Sequence, residues 1–141
     1  MALTLSGDRF FYVNPLESDG NHHRLAWFGC ACCPSQICRF LPSIGNYVYC
    51  TGDGALWVNL YMGNTLNTED AEIEMETSYP NDGKVSITVN RMKERELRLR
   101  IPGWCKEWSL SVNGDAVSPA VEKGYLLSFV KFSFCSLNLT S

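Results

Sequence analysis

Residues 71–89 read Ala-Glu-Ile-Glu-Met-Glu-Thr-Ser-Tyr-Pro-Asn-Asp-Gly-Lys-Val-Ser-Ile-Thr-Val, and this stretch decides the fold class. Apolar side chains at 71, 73 and 75 alternate with glutamates, and the same period returns at 85, 87 and 89 after a Pro-Asn-Asp-Gly turn. A period of two is typical of a strand with one buried and one solvated face. The stretch therefore predicts two antiparallel strands joined by a turn.

The same alternation recurs along residues 51–130. It is found at 56–62, at 97–101 and at 108–112, where Asn113-Gly114 gives a strong hairpin signal, and another strand begins near Gly124. Short strands at this spacing predict an antiparallel β-sandwich domain. Residues 131–141 are predicted to be an atypical tail, because their alternating residues reach the end of the chain without a closing element. The sandwich is accordingly expected to be incomplete.

The first fifty residues follow a different pattern. Phe10 to Val13 form a short apolar run that ends at Asn14-Pro15, which predicts a strand closed by a turn. Residues 18–24 are polar and predict a loop. Apolar residues then recur at helical spacing, so a helix is expected from Pro34, a favoured first helical residue, to about Leu41, before Pro42.

Composition excludes several classes of function. The chain has 141 residues, 45% of them apolar, and a formal net charge of −3 with no basic run, so neither nucleic acid nor a membrane is an expected partner. The first residues have neither the basic start nor the apolar core of a signal peptide. The seven cysteines are odd in number and unevenly spaced, which favours a reducing, cytoplasmic compartment.

Three of these cysteines, Cys30, Cys32 and Cys33, lie within four positions immediately before Pro34. The N-terminus of the predicted helix favours negative charge, and thiolate is the form of cysteine that attacks carbon or binds a metal. Inert buried thiols are the structural alternative. A local zinc site with His22 or His23 is another, although the ligand spacing is irregular. A disulfide between adjacent cysteines would be strained. The remaining interpretation is a nucleophile or metal site completed by residues elsewhere.

Two further classes of function stay open. One is a small zinc-binding or redox module that uses the three cysteines. The other is a non-catalytic β-sandwich that binds carbohydrate or has a structural role, with Trp57, Tyr61 or Trp104 exposed. Core packing is the preferred interpretation of these aromatic residues, because their neighbours are apolar.

The order of several motifs resembles glycoside hydrolase family 127, the β-L-arabinofuranosidases, over roughly residues 5–128. The motifs are Phe10-Phe11-Tyr12-Val13-Asn14-Pro15-Leu16-Glu17, Trp27-Phe28-Gly29-Cys30-Ala31-Cys32-Cys33-Pro34-Ser35, Ala55-Leu56-Trp57-Val58-Asn59-Leu60-Tyr61, Leu99-Arg100-Ile101-Pro102-Gly103-Trp104-Cys105, Val112-Asn113-Gly114 and Lys123-Gly124-Tyr125-Leu126.

This resemblance implies the roles of both regions. In the family an α/α helical barrel carries the active site and β-sandwich domains follow it, so residues 1–50 are expected to be the C-terminal piece of the barrel. The resemblance also implies a zinc ion held by a glutamate and three cysteines, with Cys32 as nucleophile and zinc ligand and Cys33 as a neighbouring ligand. Cys30 has a counterpart in the motif but is not a ligand. Tyr12 is expected to line the sugar pocket.

The implied reaction is retaining hydrolysis of a glycan that contains β-L-arabinofuranose. Cys32 would attack the anomeric carbon, and a carboxylic acid would protonate the departing oxygen. The family's Glu-x-Cys motif and catalytic glutamate lie upstream of the motifs found here, and this sequence contains no Glu-x-Cys. Glu17 is expected to be a solvated loop residue, and Glu76 falls on a predicted strand. The chain is therefore expected to be a fragment that is inactive alone.

Overall fold

The computed structural model describes residues 2–12, 16–17, 19–30, 32–129 and 133–140. The chain divides into two compact units, Met1–Ile44 and Gly45–Ser141. Within the described ranges, no helix is both long enough and apolar enough to cross a membrane.

The first unit contains two short strands and one α-helix. Strand β1 (Ala2–Leu3) pairs antiparallel with β2 (Phe10–Phe11), and Phe10 forms an isolated bridge with Leu25. The predicted strand over 10–13 is thus observed at its first two residues, whereas Val13 and the predicted turn at Asn14-Pro15 lie outside the described residues.

Helix α1 spans Cys32–Phe40 and begins two residues earlier than predicted. Pro34 occupies the first turn rather than the first position, which is tolerated because the first N–H groups of a helix have no intrahelical acceptor. Cys32 and Cys33 therefore belong to the helix itself. The helix ends before Pro42, as predicted, and a 3-10 helix continues over Leu41–Tyr47.

The second unit consists of two β-sheets. Its strands are β3 (Tyr49–Gly52), β4 (Ala55–Val58), β5 (Asn64–Asn67), β6 (Ala71–Thr77), β7 (Lys84–Met92), β8 (Glu96–Arg100), β9 (Glu107–Val112), β10 (Asp115–Val117), β11 (Val121–Glu122), β12 (Tyr125–Phe129) and β13 (Phe134–Thr140). One sheet has the order β10-β9-β13-β7-β6-β5, and the other has the order β11-β12-β8-β4-β3. The pair β4–β8 is parallel, and the other strand pairs described in these sheets are antiparallel.

The alternation seen in the sequence builds the core between the sheets. The apolar residues of β6 and β7 are buried while the glutamates of β6 point away from the core, and Met75 pairs with Ile87 across these strands. Leu97 and Leu99 of β8 contribute from the opposite sheet. The fold class, a mainly β structure with a sandwich and a helical remnant, is confirmed.

Three two-residue turns connect neighbouring strands of the sandwich. Asn113-Gly114 joins β9 to β10 with both φ angles positive, at 50° and 95°, as the sequence predicted. Asp53-Gly54 and Lys123-Gly124 adopt the same left-handed conformation at the β3–β4 and β11–β12 turns. This conformation matches the twist of antiparallel strands and favours Gly at the second position.

The end of the chain is the main correction to the sequence prediction. Residues 134–140 form β13, which pairs with β7 on one side and β9 on the other. Leu137, fully buried, lies opposite Val85 and Leu110. The sequence predicted an atypical tail over 131–141. The described part of it is an interior strand of the six-stranded sheet, because its period-two apolar residues face the same core as those of its neighbours.

Candidate active site

The candidate site lies in the first unit, where three thiols are close together. Cys32 and Cys33 occupy the first turn of α1, and Cys30 lies just before it. All three are exposed and free of disulfides, so they are not the buried thiols of the structural alternative. The Cys30 and Cys32 Sγ atoms are 3.7 Å apart.

Tyr12 joins the cluster from the segment that follows β2. Its Oη lies 2.6 Å from Cys32 Sγ, in a hydrogen bond in which either group can be the donor, and it donates a longer bond of 3.7 Å to Cys30 Sγ. The structure thus brings Tyr12, Cys30 and Cys32 together although 18 and 20 residues separate Tyr12 from the two cysteines.

Aromatic contacts hold Tyr12 in this position. The Phe28 ring lies 5.7 Å from the Tyr12 ring and 5.1 Å from the Phe10 ring, measured between centroids. Phe10 is also buried and pairs through its backbone with Leu25. The Trp-Phe-Gly segment therefore contributes a packing residue, Phe28, that links the strand region to the cysteines.

The hydrogen bonds to the thiols change the acidity of the tyrosine. They raise the pKa of the Tyr12 phenol above its ordinary value, with Cys32 contributing most, followed by Cys30 and Cys33. The phenol therefore keeps its proton to a higher pH than an ordinary tyrosine does. A protonated phenol can donate a hydrogen bond to a neighbouring sulfur atom.

A cleft of about 370 Å³ opens beside these groups, and Tyr12, Cys32, Cys33, Gln36 and Ile37 line it. This volume lies at the lower end of the range of small-molecule sites. Sequence reasoning singled out three of these residues and missed Gln36 and Ile37. Helical spacing could have predicted them, because Gln36 and Ile37 are four positions after Cys32 and Cys33 and so lie on the same helix face as these cysteines.

The thiols are suitable zinc donors, but the described residues do not complete a zinc site. Structural and catalytic zinc sites use at least three protein ligands. Among the residues that the structure describes, no group of three or more His, Cys, Asp or Glu side chains is arranged to hold a metal ion. His22 and His23, the alternative local ligands, are exposed loop residues. The residues present therefore do not fit the complete metal group that the resemblance implies.

The acidic residues considered from the sequence, Glu17 and Glu76, do not line the cleft. Glu17 is exposed, as expected of a solvated loop acid. Glu76 lies on β6 of the second unit, with its side chain on the solvated face. Among the described residues, no carboxylate lines the cleft beside Cys32.

The three aromatic residues considered for carbohydrate binding differ in their burial and contacts. Tyr61 is buried, and its Oη donates a 2.6 Å hydrogen bond to the backbone oxygen of Arg100, so it is a core residue. Trp57 is half-buried, and the Arg98 guanidinium carbon lies over its ring, 4.3 Å from the ring centroid. Trp104 is 46% exposed and stacks with Tyr79. Carbohydrate binding by the sandwich stays a prediction, with Trp104 as its best-placed residue.

Comparison with known proteins first defines the class. The structure resembles three solved chains over 98% of its length. One is a GH127 β-arabinofuranosidase (TM-score 0.78, 33% identity), and another is a glycoside hydrolase (TM-score 0.78, 30% identity). The third is a GH127 β-L-arabinofuranosidase from Geobacillus stearothermophilus T6 (TM-score 0.75, 34% identity). The class is that of glycoside hydrolases.

The family follows from the sequence. Residues 1–46 match the model of the β-L-arabinofuranosidase GH127 catalytic domain, and residues 55–131 match the GH127 middle domain. The chain belongs to glycoside hydrolase family 127. It is also 34% identical to a non-reducing end β-L-arabinofuranosidase of Bifidobacterium longum subsp. longum over 144 aligned residues.

The match covers only part of these relatives. The alignment includes 88% of this chain but 22% of the Bifidobacterium protein, and the chain spans about a quarter (25–26%) of the solved structures. The cysteine cluster and α1 fall in the segment that matches the catalytic domain.

Proposed function

We propose that this chain is the part of a retaining β-L-arabinofuranosidase that carries the nucleophile, Cys32. The single observation that carries this proposal is the position of Cys32 Sγ, in a cleft and 2.6 Å from the Tyr12 phenol. Homology to arabinofuranosidases supports a glycan substrate, and the Bifidobacterium relative, a non-reducing end β-L-arabinofuranosidase, favours a β-L-arabinofuranoside at a non-reducing end.

In the proposed reaction, the Cys32 sulfur attacks the anomeric carbon of the sugar. A carbon–sulfur bond forms as the bond from that carbon to the glycosidic oxygen breaks. The departing oxygen takes a proton from a carboxylic acid, and water then hydrolyses the thioglycoside with overall retention of configuration. Tyr12 holds the sulfur through its Oη and borders the same cleft, where it can contact the sugar.

The metal proposed from the family resemblance is zinc, with Cys32 and Cys33 as two of its ligands. Bound zinc would stabilise the thiolate form of a coordinating cysteine. Among the described residues, no third His, Cys, Asp or Glu side chain completes a metal site with these two cysteines. The remaining ligands would have to come from other residues of a longer protein.

We expect the chain alone to be inactive in turnover. The proposed cycle needs a carboxylic acid to protonate the leaving group and then to activate water. No described residue provides a carboxylate in the cleft. Incubation of the purified chain with a chromogenic nitrophenyl β-L-arabinofuranoside should release no product above background. Turnover that disappears in Cys32→Ser would contradict this expectation.

A better leaving group separates nucleophilic attack from acid catalysis. Dinitrophenolate departs without protonation, so a dinitrophenyl β-L-arabinofuranoside should react with the chain in a stoichiometric burst that is not followed by turnover. Cys32→Ser should abolish the burst. Tyr12→Phe, which keeps the ring and loses the hydroxyl, should slow it roughly tenfold, the equivalent of one hydrogen bond.

Cys38→Ser is the matched control for this burst, because Cys38 is another exposed thiol of α1 and does not line the cleft. It should leave both the rate and the amplitude unchanged. A burst of full amplitude in Cys32→Ser would rule out Cys32 as the nucleophile.

A further inference from the structure

The role proposed for Cys32 leaves Cys30 without a function. Cys30 does not line the cleft, and the family resemblance gives it no place among the zinc ligands. It is nevertheless an exposed thiol whose Sγ is 3.7 Å from that of Cys32. The same tyrosine hydroxyl contacts both sulfur atoms, at 2.6 Å from Cys32 and 3.7 Å from Cys30.

A disulfide between Cys30 and Cys32 is less strained than one between the adjacent residues Cys32 and Cys33. A disulfide requires the two sulfur atoms to approach to about 2.05 Å, and its Cα atoms usually lie about 4.4–6.8 Å apart. Adjacent residues such as Cys32 and Cys33 have Cα atoms only about 3.8 Å apart across a trans peptide. The Cys30 and Cys32 sulfur atoms lie 3.7 Å apart, near van der Waals contact, and must approach by a further ~1.7 Å to form the bond.

We propose that Cys30 and Cys32 form a reversible redox pair in which Cys30 is the resolving thiol. A peroxide oxidises the Cys32 sulfur to sulfenic acid and is itself reduced to water or an alcohol. The Cys30 sulfur then attacks the sulfenic sulfur, the S–S bond forms, and the sulfenic oxygen leaves as water. A dithiol reductant restores both thiols by thiol–disulfide exchange.

The pair has two consequences for Cys32. The disulfide protects its sulfur from irreversible oxidation to sulfinic and sulfonic acids. It also removes the free thiol, so glycosyl transfer to Cys32 stops until the disulfide is reduced. The second consequence rests on the proposed function, whereas formation of the disulfide does not.

The experiment treats the full chain with hydrogen peroxide, blocks the remaining thiols and maps the cysteine peptides by mass spectrometry. The Cys30–Cys32 crosslink should exceed the Cys32–Cys33 crosslink by at least about tenfold, because the Cα atoms of adjacent cysteines are closer together than is usual for a disulfide. Dithiothreitol should reverse it. In Cys30→Ser, Cys32 should instead progress to sulfinic acid.

Cys38→Ser is the matched control and should give the same Cys30–Cys32 crosslink as the unmodified sequence, since both exposed partners remain. A dominant Cys32–Cys33 or Cys33–Cys38 crosslink, or equal overoxidation of Cys32 with and without Cys30, would overturn the proposal. Mapping reports the disulfide whether or not Cys32 is a glycosidase nucleophile. A crosslink together with no dinitrophenol burst would therefore contradict the proposed function while leaving the redox pair intact.

Discussion

The two units of this chain differ in how they use apolar side chains. The second unit buries residues from both sheets in one continuous core, including Leu56, Ile73 and Leu97. Among the described residues of the first unit, only Phe10 is a buried apolar side chain, and helix α1 buries none of its residues. The unit with the weaker core is also the one that contains the thiol cluster.

The sandwich core is the main source of the chain's stability, whereas the first unit contains the residues proposed for catalysis. Burial of apolar surface stabilises the sandwich. Local contacts hold the site instead, through the Phe10–Phe28–Tyr12 rings and the hydrogen bond from Tyr12 to Cys32. Substitutions in the two units should therefore affect different measurements.

The largest expected effect is loss of a core side chain of the sandwich. Leu97→Ala removes a fully buried residue of β8 and should lower the free energy of unfolding by about 2–5 kcal/mol. Leu41→Ala, at a residue 57% exposed, should change it by less than about 0.5 kcal/mol. Urea unfolding followed by circular dichroism measures both. An equal loss of unfolding free energy in both variants would contradict the difference in core packing between the two units.

A smaller effect is expected where β13 passes close to the β6–β7 turn. A Cβ atom at Gly83 would collide with the backbone of Leu139, whose N–H donates to the Gly83 carbonyl at 3.1 Å. Gly83→Ala should cost about 1–3 kcal/mol through this overpacking. Gly103→Ala, where a Cβ would meet no atom within 4 Å, is the control and should cost nothing. Equal stability of both variants would mean that β13 does not approach Gly83 closely.

The third prediction concerns a buried cysteine of the sandwich. Burial raises the pKa of the Cys135 thiol to about 12. An unfolded thiol loses its proton near pKa ~8.5, so the folded state binds more protons between these values and the free energy of unfolding falls as pH rises. Cys135→Ala should make this slope shallower by up to about 1.4 kcal/mol per pH unit.

Urea unfolding at a series of pH values across this window measures the slope. Ile87→Val is the control, because it also removes buried volume but no titratable group, and it should keep the original slope. An unchanged slope in Cys135→Ala would show that the thiol is not shielded from water in the folded state.

The sequence was sufficient to predict the sandwich because period-two alternation directly reports which strand face is buried. The turn at Asn113-Gly114 was predictable for a similar reason, since its conformation favours Gly. The position of β13 was not, because alternation shows that a strand has a buried face but does not name the strands beside it. The parallel β4–β8 pair was missed for the same reason.

The site was predictable from residue types and from family resemblance, but its contacts were not. Three cysteines before a proline indicated chemistry, and the family motif singled out Cys32, Cys33 and Tyr12. The hydrogen bond between Tyr12 and Cys32 joins residues 20 positions apart, and no local pattern reports such a contact. Helix α1 begins two residues before the predicted start, because Pro34 lies in the first turn of the helix and not at its first position.

The most direct test of the account is to locate the pentose after reaction with dinitrophenyl β-L-arabinofuranoside. Peptide mapping compares all seven cysteines of the chain in one sample. The account predicts that the pentosyl group is bonded to Cys32, with no comparable labelling of Cys33, Cys38 or the cysteines of the sandwich. A pentosyl group on another cysteine, or equal labelling of all exposed thiols, would contradict it.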